Sequence, residues 1–196
     1  TLGFRGEALA SIAAVAQVEL KTRLHDRAEG FLVDIHGGDV EESRPCATRP
    51  GTSVAVRNLF YNVPARRNFL KTPATEFKHI VETFQFLALA YPETEFTLIH
   101  NDNEVHHLDA VTRGDPMENL RRRIIDLFGS RHEDRLVPVE EETSYLALQG
   151  FVGRPEFSRK SSDQQFLFVN DRYVKSRYLS HAVASGYGDM LPKGSF

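Results

Sequence analysis

Two glycines near the start of the chain have the spacing of an anion-binding loop. Gly3 and Gly6 bracket Phe4 and Arg5, and the small-residue run GEALASIAAVA that begins at Gly6 favours a helix. Backbone N–H groups of such a loop point at a phosphate, the positive end of the helix dipole attracts negative charge, and Arg5 adds a cation. Turns that only cap a helix have the same spacing, so the pattern alone leaves both interpretations open.

Basic residues mark a second candidate site. They outnumber acidic residues between Arg154 and Arg177, and three of them, Arg172, Lys175 and Arg177, lie where a predicted strand gives way to a predicted helix. Lysine and arginine in such a position pair with phosphates and make binding depend on salt. The alternative is a solvated helix terminus whose charges only keep the protein in solution.

The histidines and the single cysteine do not indicate a catalytic or metal site. His106 and His107 are neighbours on a predicted strand, so their side chains point to opposite faces and are poorly placed to share a metal ion with His100 or Asp109. The chain contains no Gly-x-Ser-x-Gly nucleophile motif, and Cys46 lies in a polar stretch. We therefore predict no metal ligand and no catalytic residue.

Hydrophobic periodicity predicts the elements that must position the first site. Alternating residues predict strands over 17–24, 31–38 and 51–60, and residues 39–50 are left as a polar connection. Residues 75–92 form the clearest predicted helix. Its predicted core face consists of Phe77, Ile80, Val81, Phe84, Leu87 and Ala88.

The second half of the chain is predicted as strands and helices in alternation. Strands are expected over 94–100 and 104–111, followed by a helix with Asp115 as N-cap that stops at Gly129. The arginine run 121–123 on that helix is expected to face solvent. Further strands at 145–153 and 165–174 precede a helix over 177–191. Hairpin-connected strands of this kind indicate an α+β fold rather than a doubly wound sheet.

Three stretches of the sequence resemble a known family. GFRGEAL, residues 3–9, resembles the phosphate-gripping lid of the MutL family of DNA mismatch-repair ATPases, which share the GHKL superfamily with DNA gyrase, Hsp90 and histidine kinases. VRNLFYNVPARRNFLK, residues 56–71, is similar to a second signature of that family. GFVGRPEFSRKSSDQQFLFVNDRYVKSRYLSHAVASGYGDML, residues 150–191, is similar to its second-domain block. The stretches follow the family's order along essentially the whole chain.

The resemblance implies which residues meet nucleotide and DNA. The expected nucleotide contacts are Gly3, Phe4, Arg5, Gly6, Glu7, Ala8, Leu9 and Thr52, the last matching a family threonine that reaches the adenine pocket. Arg172, Lys175 and Arg177 are expected to line a DNA groove. Residues 1–112 are expected to be the C-terminal portion of a GHKL-type α/β sandwich. Residues 113–196 are expected to resemble the second domain of ribosomal protein S5.

The resemblance also implies a function for the intact protein. There, ATP and Mg²⁺ close the lid, drive self-dimerisation and clamp DNA, which links a MutS-type mismatch-recognition protein to a downstream nuclease and helicase. The family's general base, its magnesium-holding asparagine, its Asp-x-Gly adenine turn and its His-Pro-x-Lys segment are not found in this chain.

We therefore expect a central piece of such a protein. Its lid should be mobile or repacked as a helix extension. It should bind no cofactor and lack ATPase activity of its own, because hydrolysis needs a base near the attacking water. The alternative is a non-enzymatic nucleic-acid or protein-docking module of S5-like fold.

Composition limits the class of protein further. The chain is 41% hydrophobic and 26% charged, with a formal net charge of -3, which argues against a wholesale nucleic-acid binder. No apolar run approaches the ~18 residues of a membrane span. With one cysteine no internal disulfide forms, so we expect a reducing, cytoplasmic location and no membrane partner.

Overall fold

The computed structural model describes residues 6–196. The predicted contacts Gly3, Phe4 and Arg5, and with them the expectation of a mobile or repacked lid, lie outside the described residues. The chain divides into two compact units, one ending at Glu76 and the other beginning at Phe77.

A four-stranded antiparallel sheet forms the first unit. Its elements are α1 (Ala8–Ala13), β1 (Gln17–Arg23), β2 (Gly30–His36), β3 (Asp39–Cys46), β4 (Gly51–Arg57) and α2 (Pro64–Arg67). The strands lie in the order β3-β2-β1-β4. Val18 of β1 lies opposite Ile35 on one side and Val56 on the other, so the three side chains share a face. Ala13 and Ala16 pack against Val18 and Ile35 on that face.

Two sequence predictions for this unit are wrong. The connection predicted over residues 39–50 contains β3, which is nearly all exposed. Polar edge strands lack apolar alternation, and β3 forms because Gly37 and Gly38, with φ of 61° and 100°, turn the chain back onto β2. The first helix is also shorter than predicted. It begins at Ala8, so Glu7 precedes its first turn.

The second unit packs helices against two-stranded antiparallel sheets. Its elements are α3 (Pro73–Ala90, which starts at the end of the first unit), β5 (Phe96–His100), β6 (Asn103–Leu108), α4 (Pro116–Phe128), β7 (Leu136–Glu142), β8 (Ala147–Gly153), β9 (Phe168–Val169), β10 (Arg172–Tyr173) and α5 (Arg177–Gly186). The paired strands are β5 with β6, β7 with β8, and β9 with β10.

The core of the second unit joins elements from both sides of residue 113. Its buried residues are Phe84, Ala88, Leu89, Leu108 and Leu127. Ile80, predicted to lie in the core, is 52% exposed, because the buried arc of α3 centres on later turns of the helix. The division into compact units does not define domains. The predicted domain boundary between residues 112 and 113 therefore stays a prediction.

The predicted signals at the ends of α4 are present. Asp115 Oδ1 accepts the N–H of Glu118 at 2.8 Å, Pro116 occupies the first turn, and the helix ends at Gly129 with φ of 95°. Among the described residues, no helix is both long and apolar enough to cross a membrane.

The arginine run on α4 corrects a further prediction. Arg123 was expected to face solvent, yet it is fully buried. Its Nη2 donates to the carbonyl oxygens of Pro92 at 2.6 Å, Thr94 at 2.7 Å and Asp109 at 2.9 Å. Burial lowers the pKa of this guanidinium, opposed mainly by the nearby carboxylate of Asp126. The side chain therefore ties α4 to the segments that follow α3 and β6.

Candidate functional site

The described part of the predicted lid is open to solvent. Gly6 has φ of 70°, in the left-handed region that favours glycine, and a Cβ built on it meets no atom within 4 Å. Glu7, Ala8 and Leu9 are exposed. Glu7 holds the N-cap position of α1 without a side-chain hydrogen bond. The side chain of Glu7 therefore does not cap the first N–H groups of α1, which are groups of the kind that bind anions at helix N-termini.

The opposite end of α1 is fastened by the turn of the second signature. The carbonyl of Val15 accepts the N–H of Phe60 at 2.7 Å, and the carbonyl of Ala14 accepts Nδ2 of Asn62 at 2.9 Å. Carbonyls at the end of a helix have no partner within it, so these bonds satisfy groups that would otherwise need water. Gly37 contacts the next carbonyl along the chain, that of Ala16. We call Phe60, Asn62 and Gly37 together the α1 clamp.

Gly37 completes the clamp from the β2–β3 hairpin. Its N–H donates to the carbonyl of Ala16 at 3.1 Å. A Cβ at this position would lie 2.8 Å from the hydroxyl of Tyr61 and 3.1 Å from Nδ2 of Asn62. With φ of 61° as well, the position requires glycine both for its backbone conformation and for the close approach of the turn.

The same turn contains two non-glycine residues in the left-handed backbone region, and one of them is bulky. Asn58 and Phe60 have φ of 51° and 64°. Asparagine tolerates this region, whereas a bulky residue such as Phe60 adopts it only when its surroundings compel it. The bond from Phe60 to Val15 and the bond from Asn58 Nδ2 to Gln17 Oε1, at 2.6 Å, hold the turn in place.

The clamp joins the second signature to the segment that follows α1, which is far away in sequence. Asn62 and Ala14 are separated by 48 positions, yet they bond directly. Sequence reasoning recognised the second signature but missed its contact with the segment after α1 and missed Gly37. The glycine pair after β2 was the one local signal that could have indicated a special turn there.

Thr52 lies away from the end of β1 that follows α1. It is exposed on β4, and its Oγ1 is 2.8 Å from Oγ1 of Thr22, its cross-strand partner. Gln17, the first residue of β1, pairs with Arg57 instead. Five residues of strand, about 17 Å, separate these two pairs. The role of Thr52 at an adenine pocket stays a prediction.

The second candidate site is a junction between a hairpin and a helix. Arg172 lies on β10, Lys175 follows it, and Arg177 begins α5; all three are exposed. Ser176 caps the helix, with its Oγ accepting the N–H of Leu179 at 3.3 Å. The junction places three exposed basic side chains within a span of six residues, which suits contact with a phosphate backbone.

The histidines are engaged in packing and pairing. His106 stacks on Phe84 with ring centroids 5.4 Å apart, and burial lowers the pKa of its imidazole. Nε2 of His107 lies 3.3 Å from Asp109. Within residues 6–196, no group of three or more histidine, cysteine, aspartate and glutamate side chains is placed to hold a metal ion.

Comparison with known proteins gives consistent similarities. The family model described as DNA mismatch repair protein, C-terminal domain, matches residues 124–196. The DNA mismatch repair protein MutL of Christiangramia forsetii is 47% identical over 100% of this chain and 31% of its own length. That of Flavobacterium psychrophilum is 45% identical, again over 100% of this chain and 31% of its own length.

Solved structures show the same fold. The Aquifex aeolicus MutL ATPase domain complexed with ADP matches with a TM-score of 0.75 and 28% identity, over 92% of this chain and 68% of that one. The chain spans about a third of the length of the curated relatives it matches.

Proposed function

The chain belongs to the MutL family of DNA mismatch repair proteins, and we propose that it contributes two parts of such a protein: the support of an ATP-responsive lid and a DNA-binding surface. The observations that carry the proposal are the match to MutL along the whole chain and the bonding of the second signature, in the α1 clamp, to the residues that directly follow α1. In the intact protein, ATP binding would close the lid and drive self-dimerisation around DNA.

Support for the nucleotide role comes from the two ends of α1. Gly6 has a left-handed backbone conformation that suits a phosphate-binding loop, and Glu7, at the N-cap of the helix that follows, makes no capping hydrogen bond with its side chain. The clamp fixes the other end of the helix through three hydrogen bonds. A helix held at its far end presents its N–H groups in a constant direction, so Gly6, Glu7, Ala8 and Leu9 would offer backbone donors to the phosphates.

The described residues do not fit a magnesium ion. Such an ion needs oxygen donors converging on one point, and residues 6–196 contain no suitable cluster of carboxylates. We therefore assign no step to Mg²⁺ in this chain. We also propose that the chain alone does not hydrolyse ATP, since its sequence contains neither the family's Asp-x-Gly turn nor a match to its general base.

Support for DNA binding comes from the hairpin–helix junction. Arg172, Lys175 and Arg177 are exposed there, and the family match covers this region. We propose that the intact protein passes a signal from a MutS-type mismatch-recognition protein to a repair nuclease and helicase while holding DNA through this surface.

Two measurements on the 196-residue chain test the proposal. Retention of labelled duplex DNA on a filter should fall steeply as salt rises, because phosphate contacts release counterions. Incubation with radiolabelled ATP should give no phosphate release above the blank. The absence of DNA retention at low salt would contradict the DNA role, and turnover of ATP would contradict the proposed inactivity.

A further inference from the structure

An exposed aromatic residue lies beside the basic junction. Tyr178 is 82% exposed in the first turn of α5, directly after Arg177. Leaving a large ring in water gains nothing for folding, since the free energy of burying it is forgone. Single exposed apolar residues are common, however, so the surroundings of Tyr178 must decide whether it has a role.

The exposed face of α5 combines rings and positive charge. With 3.6 residues per turn, the residues that share the exposed side are Arg177, Tyr178, His181, Ala182 and Ser185, and all of them are exposed. The helix sequence RYLSHAVASG contains no acidic residue. This face therefore has an aromatic ring and an arginine side by side, with a second ring one turn further on.

Another exposed tyrosine has the opposite surroundings. Tyr145 is 90% exposed in the turn between β7 and β8, but the strand before it ends in the acidic run Glu140–Glu142. Negative charge repels phosphates, so exposure there does not suggest the same partner. Tyr145 thus serves as a matched control within the same unit.

We propose that Tyr178 stacks on an unpaired base of single-stranded nucleic acid whose phosphates lie along Lys175 and Arg177. The proposal rests on the DNA role proposed above and adds that the nucleic acid bound is single-stranded. Aromatic side chains beside a basic track bind successive bases by stacking, which tolerates any sequence because every base has a π face. Bases within a duplex are stacked on each other, so the ring would contribute little to duplex binding.

Fluorescence anisotropy with labelled oligothymidylate and a labelled duplex of equal length tests this inference. Tyr178→Ala should bind the single strand about 5- to 150-fold more weakly, the range that stacking of one base gives, and should bind the duplex within about twofold of wild type. Tyr178→Phe keeps the ring and should bind like wild type. Tyr145→Ala should also bind like wild type, and circular dichroism should confirm that each variant is folded.

A direct probe of stacking is available because the chain contains no tryptophan. In Tyr178→Trp, the single indole should lose emission when oligothymidylate is added and should keep it when the duplex is added. Unchanged emission, with wild-type affinity of Tyr178→Ala for the single strand, would overturn the stacking proposal while leaving the DNA role intact. A wild-type chain that binds neither form of DNA would overturn both.

Discussion

At the scale of single residues, burial lowers the pKa of the His106 imidazole. Its ring stacks on Phe84, and the loss of hydration lowers its pKa below the ordinary value of 6.5. Because the folded pKa lies below the unfolded one, the imidazole contributes stability that is present above about pH 6.5 and is lost as the pH falls below it.

We therefore predict that replacing His106 by phenylalanine makes stability less sensitive to acid. The free energy of unfolding in urea, measured at about pH 7.5 and about pH 5, should fall less in His106→Phe than in wild type. His107→Phe is the control, because His107 is exposed and pairs with Asp109. Equal losses in wild type and His106→Phe would show that His106 does not cause the pH dependence.

The contribution of a single hydrogen bond to stability can be predicted at Tyr187. Its hydroxyl donates to the carbonyl of Gly153 at 2.6 Å, and burial raises its pKa, so the proton stays on the oxygen. Tyr187→Phe should lower the free energy of unfolding by about 0.5–1.5 kcal/mol. Tyr145→Phe, at a 90% exposed position, should change it by less than about 0.5 kcal/mol. Equal effects of the two substitutions would argue against this bond.

At the scale of elements, the α1 clamp connects a helix to two turns. Asn62→Ala removes the bond to Ala14 and should destabilise the first unit by about 1 kcal/mol. The amide of Phe60, bonded to Val15 in the same turn, should then exchange its hydrogen faster. Protection of that amide at the wild-type level would mean that the turn is held without Asn62.

Gly37→Ala tests the close approach in the clamp. The added Cβ would lie 2.8 Å from the Tyr61 hydroxyl, in a backbone conformation with φ of 61°. We expect a loss of about 2–3 kcal/mol from strain and displacement together. Gly194→Ala, with φ of 71° and no atom within 4 Å, carries the backbone strain alone and should cost about 1 kcal/mol. Similar losses in both variants would show that the steric contact with Tyr61 does not add to the cost of Gly37→Ala.

For α4, the predicted source of stability is the buried side chain of Arg123. Arg123→Met keeps much of the side-chain volume but leaves the three carbonyls without their donor, which should cost about 2–3 kcal/mol. Arg122→Met removes an exposed ion pair with Asp126 and should cost less than about 1 kcal/mol. Urea unfolding of both variants measures the two losses. A loss in Arg123→Met no larger than that in Arg122→Met would contradict the structural role of the buried arginine.

The elements that sequence predicted well have signals within themselves. Asp115, Pro116 and Gly129 mark the ends of α4, and apolar spacing marks α3. What was missed depends on contacts between distant segments. β3 forms through backbone bonds to β2, and the burial of Arg123 follows from carbonyls far away in sequence. The contact between Asn62 and Ala14 in the candidate site is of the same kind.

At the scale of the whole molecule, the chain combines a sheet unit that supports α1 with a unit that presents the basic junction. Its match to MutL proteins runs along its full length but covers about a third of theirs. The DNA role proposed for the basic junction is the part of the proposal that can be measured directly on this chain.

The DNA role of the junction is tested by comparing the salt dependence of duplex DNA binding in wild type and Arg177→Glu. We expect weaker binding by Arg177→Glu and a plot of log affinity against log salt that is shallower by about 1, since one phosphate contact is lost. Arg49→Glu, which changes the net charge equally from the first unit, should keep the wild-type slope. Identical affinity and slope in wild type and Arg177→Glu would contradict the assignment of this junction as the DNA-binding surface.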